Sequence, residues 1–144
     1  MRRLPIEIVR VQPEAVAGFY RTGEREALRA LYGFSVIWHE QTHVFAAVDG
    51  DETLGAATIR IAASLAHVER IAVTPAHRRQ GLGRGLLDAA DEVAKYYNCH
   101  KMSALVPHKS EAQAFFEACG YSEEAVLPQH TFKLDVAVLR KFLL

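Results

Sequence analysis

The spacing of apolar positions changes several times along the chain, and each change marks an element. Ile6 to Val11 alternates in part ahead of Pro13 and predicts a first strand, followed by helical stretches over about Pro13–Arg21 and Glu24–Tyr32, punctuated by Gly23 and Gly33. Val44–Val48 and Leu54–Ile61 are apolar and partly β-branched, and Asp49-Gly50-Asp51-Glu52 between them is a hairpin signal. His67–Val73 reads as a strand ended by Thr74-Pro75, because proline donates no ladder bond and pushes its predecessor out of the α region. Leu82, Leu86, Ala89, Ala90, Val93 and Tyr97 then recur at helical spacing, with charges largely on the other side: a long amphipathic helix.

Met102–Val106 predicts another strand, and Ala112, Phe115, Phe116 and Cys119 a further helix stopped by Gly120. Two short strands are expected at Tyr121–Val126 and Thr131–Leu134, and Val136–Leu144 as a short helix capped by Asp135 or a packed tail. This order predicts an α+β fold, one mixed sheet with helices on both faces, in a single domain over residues 1–144.

Composition narrows the function. The chain has 144 residues, half of them apolar, enough to bury about 68–70% of its unfolded surface without disulfides. Lys and Arg number 17 against 17 Asp and Glu, so no net field draws in nucleic acid or anionic lipid. No apolar run approaches a membrane span, and Met1-Arg2-Arg3-Leu4-Pro5 lacks the apolar core of a signal peptide, so a cytoplasmic protein is expected. Cys99 and Cys119 are too few and too far apart for a disulfide framework and read as reduced thiols.

Candidate chemistry concentrates in Val73-Thr74-Pro75-Ala76-His77-Arg78-Arg79-Gln80-Gly81-Leu82-Gly83-Arg84-Gly85, between a strand and a helix. A helix start leaves N–H groups without partners and carries the positive end of the macrodipole, so an anion docks there. Gly81 and Gly83 lack a Cβ and admit close approach, while Arg78, Arg79 and Arg84 add charge-assisted donors: a diphosphate is the expected guest. A P-loop needs a Gly-Lys pair, which is absent, and a dinucleotide fingerprint needs a third glycine where Leu86 stands. The remaining pattern is R-x-x-G-x-G, matched by Arg78, Gly81 and Gly83.

With that loop the chain resembles the GNAT superfamily of N-acetyltransferases. Glu69-Arg70-Ile71-Ala72-Val73-Thr74-Pro75 resembles the family's fourth strand, Ala112–Tyr121 its A-x-x-F-Y-x-x-x-G-F segment, and the hairpin at Val44–Ile61 fits as well. The resemblance spans about residues 6–135 and is strongest over 67–121. It implies a central mixed sheet of about six to seven strands whose fourth and fifth strands splay apart. It also implies acetyl-CoA as co-substrate, its pantetheine arm paired with backbone at Ile71, Ala72 and Val73. The pyrophosphate would lie on the amides of Arg79, Gln80, Gly81, Leu82, Gly83 and Arg84, with Arg78 opening the loop. Homodimers are implied too. Where many relatives carry a tyrosine that protonates the leaving thiolate, this chain has Phe116. Where relatives often carry Asn, it has Lys109, whose ammonium is long enough to reach the cofactor phosphates but which is read here, in preference, as a solvated loop residue.

An amine of pKa about 10.4 is mostly protonated at neutral pH, so acyl transfer to it requires a base. Strict strand alternation puts His67, Glu69, Ile71 and Val73 on one side, which makes Glu69 and His67 the candidates, Glu69 slightly preferred, against the reading of both as ordinary strand residues. Direct attack of the amine on the thioester is expected, with a backbone N–H of Val73 or Ile71 meeting the oxyanion and the thiol leaving without an acid. Tyr96, Tyr97 and Tyr121 read as packing residues.

Two other functions compete. His39-Glu40-Gln41-Thr42-His43 matches the zinc-peptidase signature H-E-x-x-H, but the motif needs a helix, and strand and turn follow at once; Asp49 stands where the extended form needs His. No metal site is expected. The second competitor is a domain that binds CoA as a sensor or assembly module without turnover. The acceptor is left open among polyamines, amino acids, antibiotics and protein amino groups; its contacts are expected from Pro13–His43 and from the tail, with Trp38, His39 and His43 either lining that side or simply packing. No nucleic acid or membrane partner is expected.

Overall fold

The computed structural model describes residues 5–143; Met1–Leu4 and Leu144 lie outside the described residues. The backbone divides into two compact units, one ending at Ile37 and one beginning at Trp38.

The first unit holds one helix, α1 (Glu14–Tyr32), where two stretches were expected. Gly23 does not interrupt it: the site where its Cβ would stand lies 3.5 Å from the Phe19 ring one turn earlier, and a lone glycine costs a helix only about 1 kcal/mol. Gly33 ends it at φ 79°, donating its N–H to Arg29 O at 2.8 Å. The expected strand at Ile6–Val11 does not form. A strand needs a ladder partner, and the rest of its unit is helical.

The second unit is a six-stranded sheet with two helices. Its elements are β1 (Gln41–Asp49), β2 (Glu52–Ala62), β3 (Leu65–Val73), α2 (Leu82–Tyr96), β4 (Lys101–Pro107), α3 (Glu111–Ala118), β5 (Ser122–Thr131) and β6 (Leu134–Phe142). The spatial order is β1-β2-β3-β4-β6-β5, antiparallel throughout except for β3 and β4, which run parallel with α2 as the crossover between them. The expected hairpin forms, turning at Gly50 with φ 59°.

The C-terminal segment differs from expectation: Val136–Phe142 is neither helix nor loose tail but part of β6, inserted between β4 and β5. Paired along both edges, β6 buries the consecutive residues Val136 and Ala137 and then Leu139, which blurs the period-2 signature.

One face of the sheet carries the core. Ala66 and Val68 of β3, Met102 and Ala104 of β4 and Leu139 of β6 meet Leu87, Ala90 and Ala94 of α2 and Phe116 of α3 in a single buried cluster. Within this unit α2 and α3 therefore share one face. Ser110 caps α3, its Oγ accepting from Gln113 N at 3.2 Å.

Candidate active site

The sheet opens where two parallel strands stop pairing. The β3–β4 ladder runs from Leu65↔Lys101 to Val68↔Ala104 and ends there, so Glu69–Val73 and Leu105–Pro107 face each other with no ladder between them. On its other edge β3 stays paired with β2 up to Gly55↔Val73. That second ladder explains the divergence. Its register passes from Ile59↔Val68 to Thr58↔Arg70, leaving Glu69 as an extra residue, a β-bulge that bends the strand at the point where it leaves β4.

The bulge also corrects the expected facing of side chains. Val68 pairs with Ile59 and Ile71 with Ala57, two positions along β2, so Ile71 lies on the helix-bearing face and packs against the core. Val73 follows it, opposite Gly55. His67 pairs with Arg60 on the other face, and Glu69 reaches the same Arg60 at 3.4 Å. His67 and Glu69 thus lie together, and Ile71 and Val73 lie opposite them. Period-2 counting fails by one residue across a bulge.

The gap between the strands is a cleft of about 560 Å³. Glu69, Ile71, Ala72 and Phe116 line it, with Leu105 and Val106 on the β4 side. Its remaining walls are largely apolar and include Val44, Ala56 and Ala112.

At the C-terminal end of β3 the chain makes a single 3₁₀ turn, Pro75–His77, and enters α2 through the expected loop. Arg78 is extended and donates from Nε to Val73 O at 3.2 Å, tying the loop to the strand end. Arg79 and Gly81 have positive φ, 65° and 82°, and Arg79 and Gln80 are exposed. Gly81 is the N-cap of α2 and no side chain caps that helix, so the amides of Leu82, Gly83 and Arg84 open the helix without a side-chain acceptor. The first helical bond runs from Gly85 N to Gly81 O at 2.9 Å. The start of this 15-residue helix thus offers free amides and the positive end of the helix dipole, a geometry suited to an anion.

Two loop residues have packing contacts that were not expected. The site of a Cβ on Gly83 lies 2.9 Å from the Phe115 ring, so this glycine also lets α2 pack closely on α3. The Arg84 guanidinium donates to Ala118 O at 2.7 Å at the end of α3, leaving its backbone amide as its contribution to the loop.

A family model for the acetyltransferase (GNAT) domain matches residues 40–123, a span that contains the bulge, the cleft and the loop. The chain belongs to the GNAT acetyltransferase family. Solved structures share its fold. An acetyltransferase from Bacillus cereus superposes with a TM-score of 0.75 at 16% identity, covering 95% of this chain and 98% of that one. The ribosomal-protein-S18-alanine N-acetyltransferase from Escherichia coli gives 0.64 at 19% identity over 92% and 90%. A protein assigned as a streptothricin acetyltransferase from Bacillus anthracis, solved in complex with acetyl coenzyme A, gives 0.66 at 18% over 71% and 62%. No curated protein matches the sequence.

The two candidate bases, Glu69 and His67, lie where the β3–β4 ladder ends. Glu69 is exposed and lines the cleft. His67 stands one step back, where the β3–β4 ladder is still closed, its Nδ1 2.8 Å from Ser103 Oγ. Burial holds the imidazole below its ordinary pKa, reinforced by the Arg60 charge and opposed by Glu69. Ser103 and Arg60 are the partners sequence reading missed. The one available signal for Ser103 was its polar place between the apolar Met102 and Ala104.

Phe116 packs edge-on to Phe115 and Tyr121, with ring centroids 5.4 and 5.0 Å away, and is buried. The Tyr121 hydroxyl is buried with no partner among the described residues; desolvation first, then Asp91, pushes its pKa far above the usual phenol, so it is a poor proton donor. Phe116→Ala is expected to cost about 3–5 kcal/mol, read as a lowered denaturation midpoint, whereas Phe116→Tyr changes turnover modestly. Loss of activity in Phe116→Leu with the fold unchanged would show instead that the ring itself serves the reaction.

Burial raises both cysteine thiols above their ordinary pKa, which disfavours the thiolate a nucleophile requires. The H-E-x-x-H match is set aside on geometry: Gln41–His43 open β1, an extended segment in which residues four apart cannot share one helical turn. Its side chains are engaged otherwise, His43 with Gln41 at 3.0 Å and Glu40 with Arg60 at 3.2 Å. Among the described residues no group of three metal-ligating side chains converges.

Proposed function

We propose that this chain moves an acetyl group from acetyl-CoA, the co-substrate of its family, to a primary amine by direct attack within a ternary complex. The observation that carries the reading is the junction of an open strand pair with an uncapped helix start: the β3–β4 ladder ends at Val68↔Ala104, and α2 begins at Gly81. The diphosphate rests on the amides of Arg79 to Arg84, and the pantetheine arm lies in the cleft against the open edge of Ile71, Ala72 and Val73. Both fit what the residues offer, since unpartnered N–H groups seek an acceptor and the cleft walls are mostly apolar.

The neutral amine nitrogen attacks the thioester carbonyl carbon, a backbone N–H of Ile71 or Val73 meets the oxyanion, the C–S bond breaks and the amide forms. CoA leaves as thiolate; the second proton, shed by the nitrogen as the amide forms, passes to solvent, from which the thiolate is reprotonated. The proton lost by the incoming ammonium passes to Glu69, directly or through water, with His67 behind it. Structural relatives whose match extends over both units support one acetyltransferase domain running the length of the chain. No helix among the described residues is long and apolar enough to cross a membrane, which fits the proposed cytoplasmic setting. A homodimer is part of the same reading.

The test is release of free thiol from acetyl-CoA in the presence of a panel of primary amines, with rapid-quench mass spectrometry of the protein. Amine-dependent release with no acetylated protein before product is expected. Acetyl-CoA binding without release under any acceptor would favour a sensor, and an acetyl-enzyme formed at a competent rate would overturn direct attack.

A further inference from the structure

The bulge that opens the cleft also brings two opposite charges to its mouth. Arg70 pairs with Thr58, which lies two positions from Arg60 on β2, and Arg60 bridges Glu69; all four therefore lie on the face away from α2 and α3. Regular alternation would have put Glu69 and Arg70 on opposite faces. Thr58, Glu69 and Arg70 are the polar side chains lining a cleft that is otherwise apolar.

Their charges are not equally satisfied. Arg60 serves both Glu69, at 3.4 Å, and Glu40, at 3.2 Å, so one cation is shared by two carboxylates. Arg70 has no ion pair among the described residues. A guanidinium with open donors beside apolar walls is a site for a planar anion that two parallel N–H groups can grip, and a carboxylate has that shape. The Thr58 hydroxyl, across the ladder from Arg70, supplies one more donor.

Resting on the acetyl-transfer reading, we infer that the acceptor is of the amino-acid class: a primary amine directed to Glu69 with a carboxylate on the same molecule held by Arg70. The amine is the atom acetylated, and the carboxylate is unchanged in the product. Polyamines and simple alkylamines carry nothing for Arg70 to hold and are poor acceptors.

The experiment uses the full chain saturated with CoA, so that acceptor binding is read without turnover. Affinities of the standard L-amino acids and of their α-carboxamides, which keep the amine and lose the anion, are compared by calorimetry. At least one free acid is expected to bind about 10-fold or more tightly than its amide, a ratio worth about 1.4 kcal/mol. Arg70→Gln brings that ratio to about one, and Arg70→Lys, which keeps the charge and loses the fork, restores part of it. Acetyl-CoA affinity stays the same in all three proteins. The inference is overturned if no acid is preferred over its amide, if the preference survives Arg70→Gln, or if Arg70→Gln weakens acetyl-CoA instead, which would assign Arg70 to the cofactor. Failure of the acetyl-transfer reading looks different: the unaltered chain would show no affinity for acetyl-CoA.

Discussion

Glu69→Gln is expected to lower kcat/KM by about 10²–10⁴, the range associated with a positioned general base, while leaving acetyl-CoA affinity unchanged. The amide keeps the size of the side chain but cannot take a proton. His67→Ala should cost less, because the imidazole stands behind the cleft mouth and is engaged by Ser103. The pH dependence separates the two groups. His67 has a lowered pKa, so it loses its free base form only as the pH falls below about 6.5, its ordinary value. Glu69 raises that pKa, and removing its charge should move the imidazole titration lower still. If His67 were the working base, Glu69→Gln would leave an active enzyme whose acid limb had shifted to lower pH. If Glu69 is the base, the rate falls across the profile. Activity in Glu69→Gln within a few-fold of the unaltered protein would reject the assignment.

How much of this site was legible beforehand depends on the range of the interaction that fixes each part. The strand ended by Thr74-Pro75, the glycine loop and the amphipathic α2 are specified by neighbours in sequence, and they appear where the spacing puts them. The bulge at Glu69 is not. Nothing in His67–Val73 announces an extra residue, because a bulge is a mismatch between two strands and exists only once β2 lies alongside. That one residue decides which side chains share the cleft mouth, so the pairing of Glu69 with Arg60 and the joint facing of Glu69 and Arg70 were beyond alternation counting.

The same limit explains the C-terminal segment. Val136, Ala137 and Leu139 suit a helix as well as a strand until the empty place between β4 and β5 is known. Arg84 is a third instance. Its position in a phosphate-binding pattern suggests an anion, yet the carbonyl it meets belongs to Ala118, 34 residues away, brought close by α3 docking.

The loop glycines, alike in sequence, should fail differently. Gly81 sits at φ 82° with nothing within 4 Å of where a Cβ would stand, so its need is conformational rather than steric. Gly81→Val forces a β-branched residue into the left-handed region at a cost of about 1–3 kcal/mol, or lets the backbone relax and turns the first α2 amides away from the proposed anion site. Acetyl-CoA affinity is expected to fall by about 10–100-fold, with the sheet intact by circular dichroism. Gly81→Asn, whose side chain tolerates that region, should bind close to normally. Gly83 has the opposite constraint: it lies in the helix, where an alanine backbone is welcome, but the added methyl meets the Phe115 ring at 2.9 Å. Gly83→Ala is therefore expected to cost about 1–3 kcal/mol of stability, recovered in part when Phe115→Leu vacates the space. Calorimetry and denaturant titration on the four proteins distinguish the two effects. A Gly81→Val protein that binds acetyl-CoA normally would remove the helix start from the cofactor site. A Gly83→Ala protein as stable as the unaltered chain would show that α2 and α3 approach less closely than the packing requires.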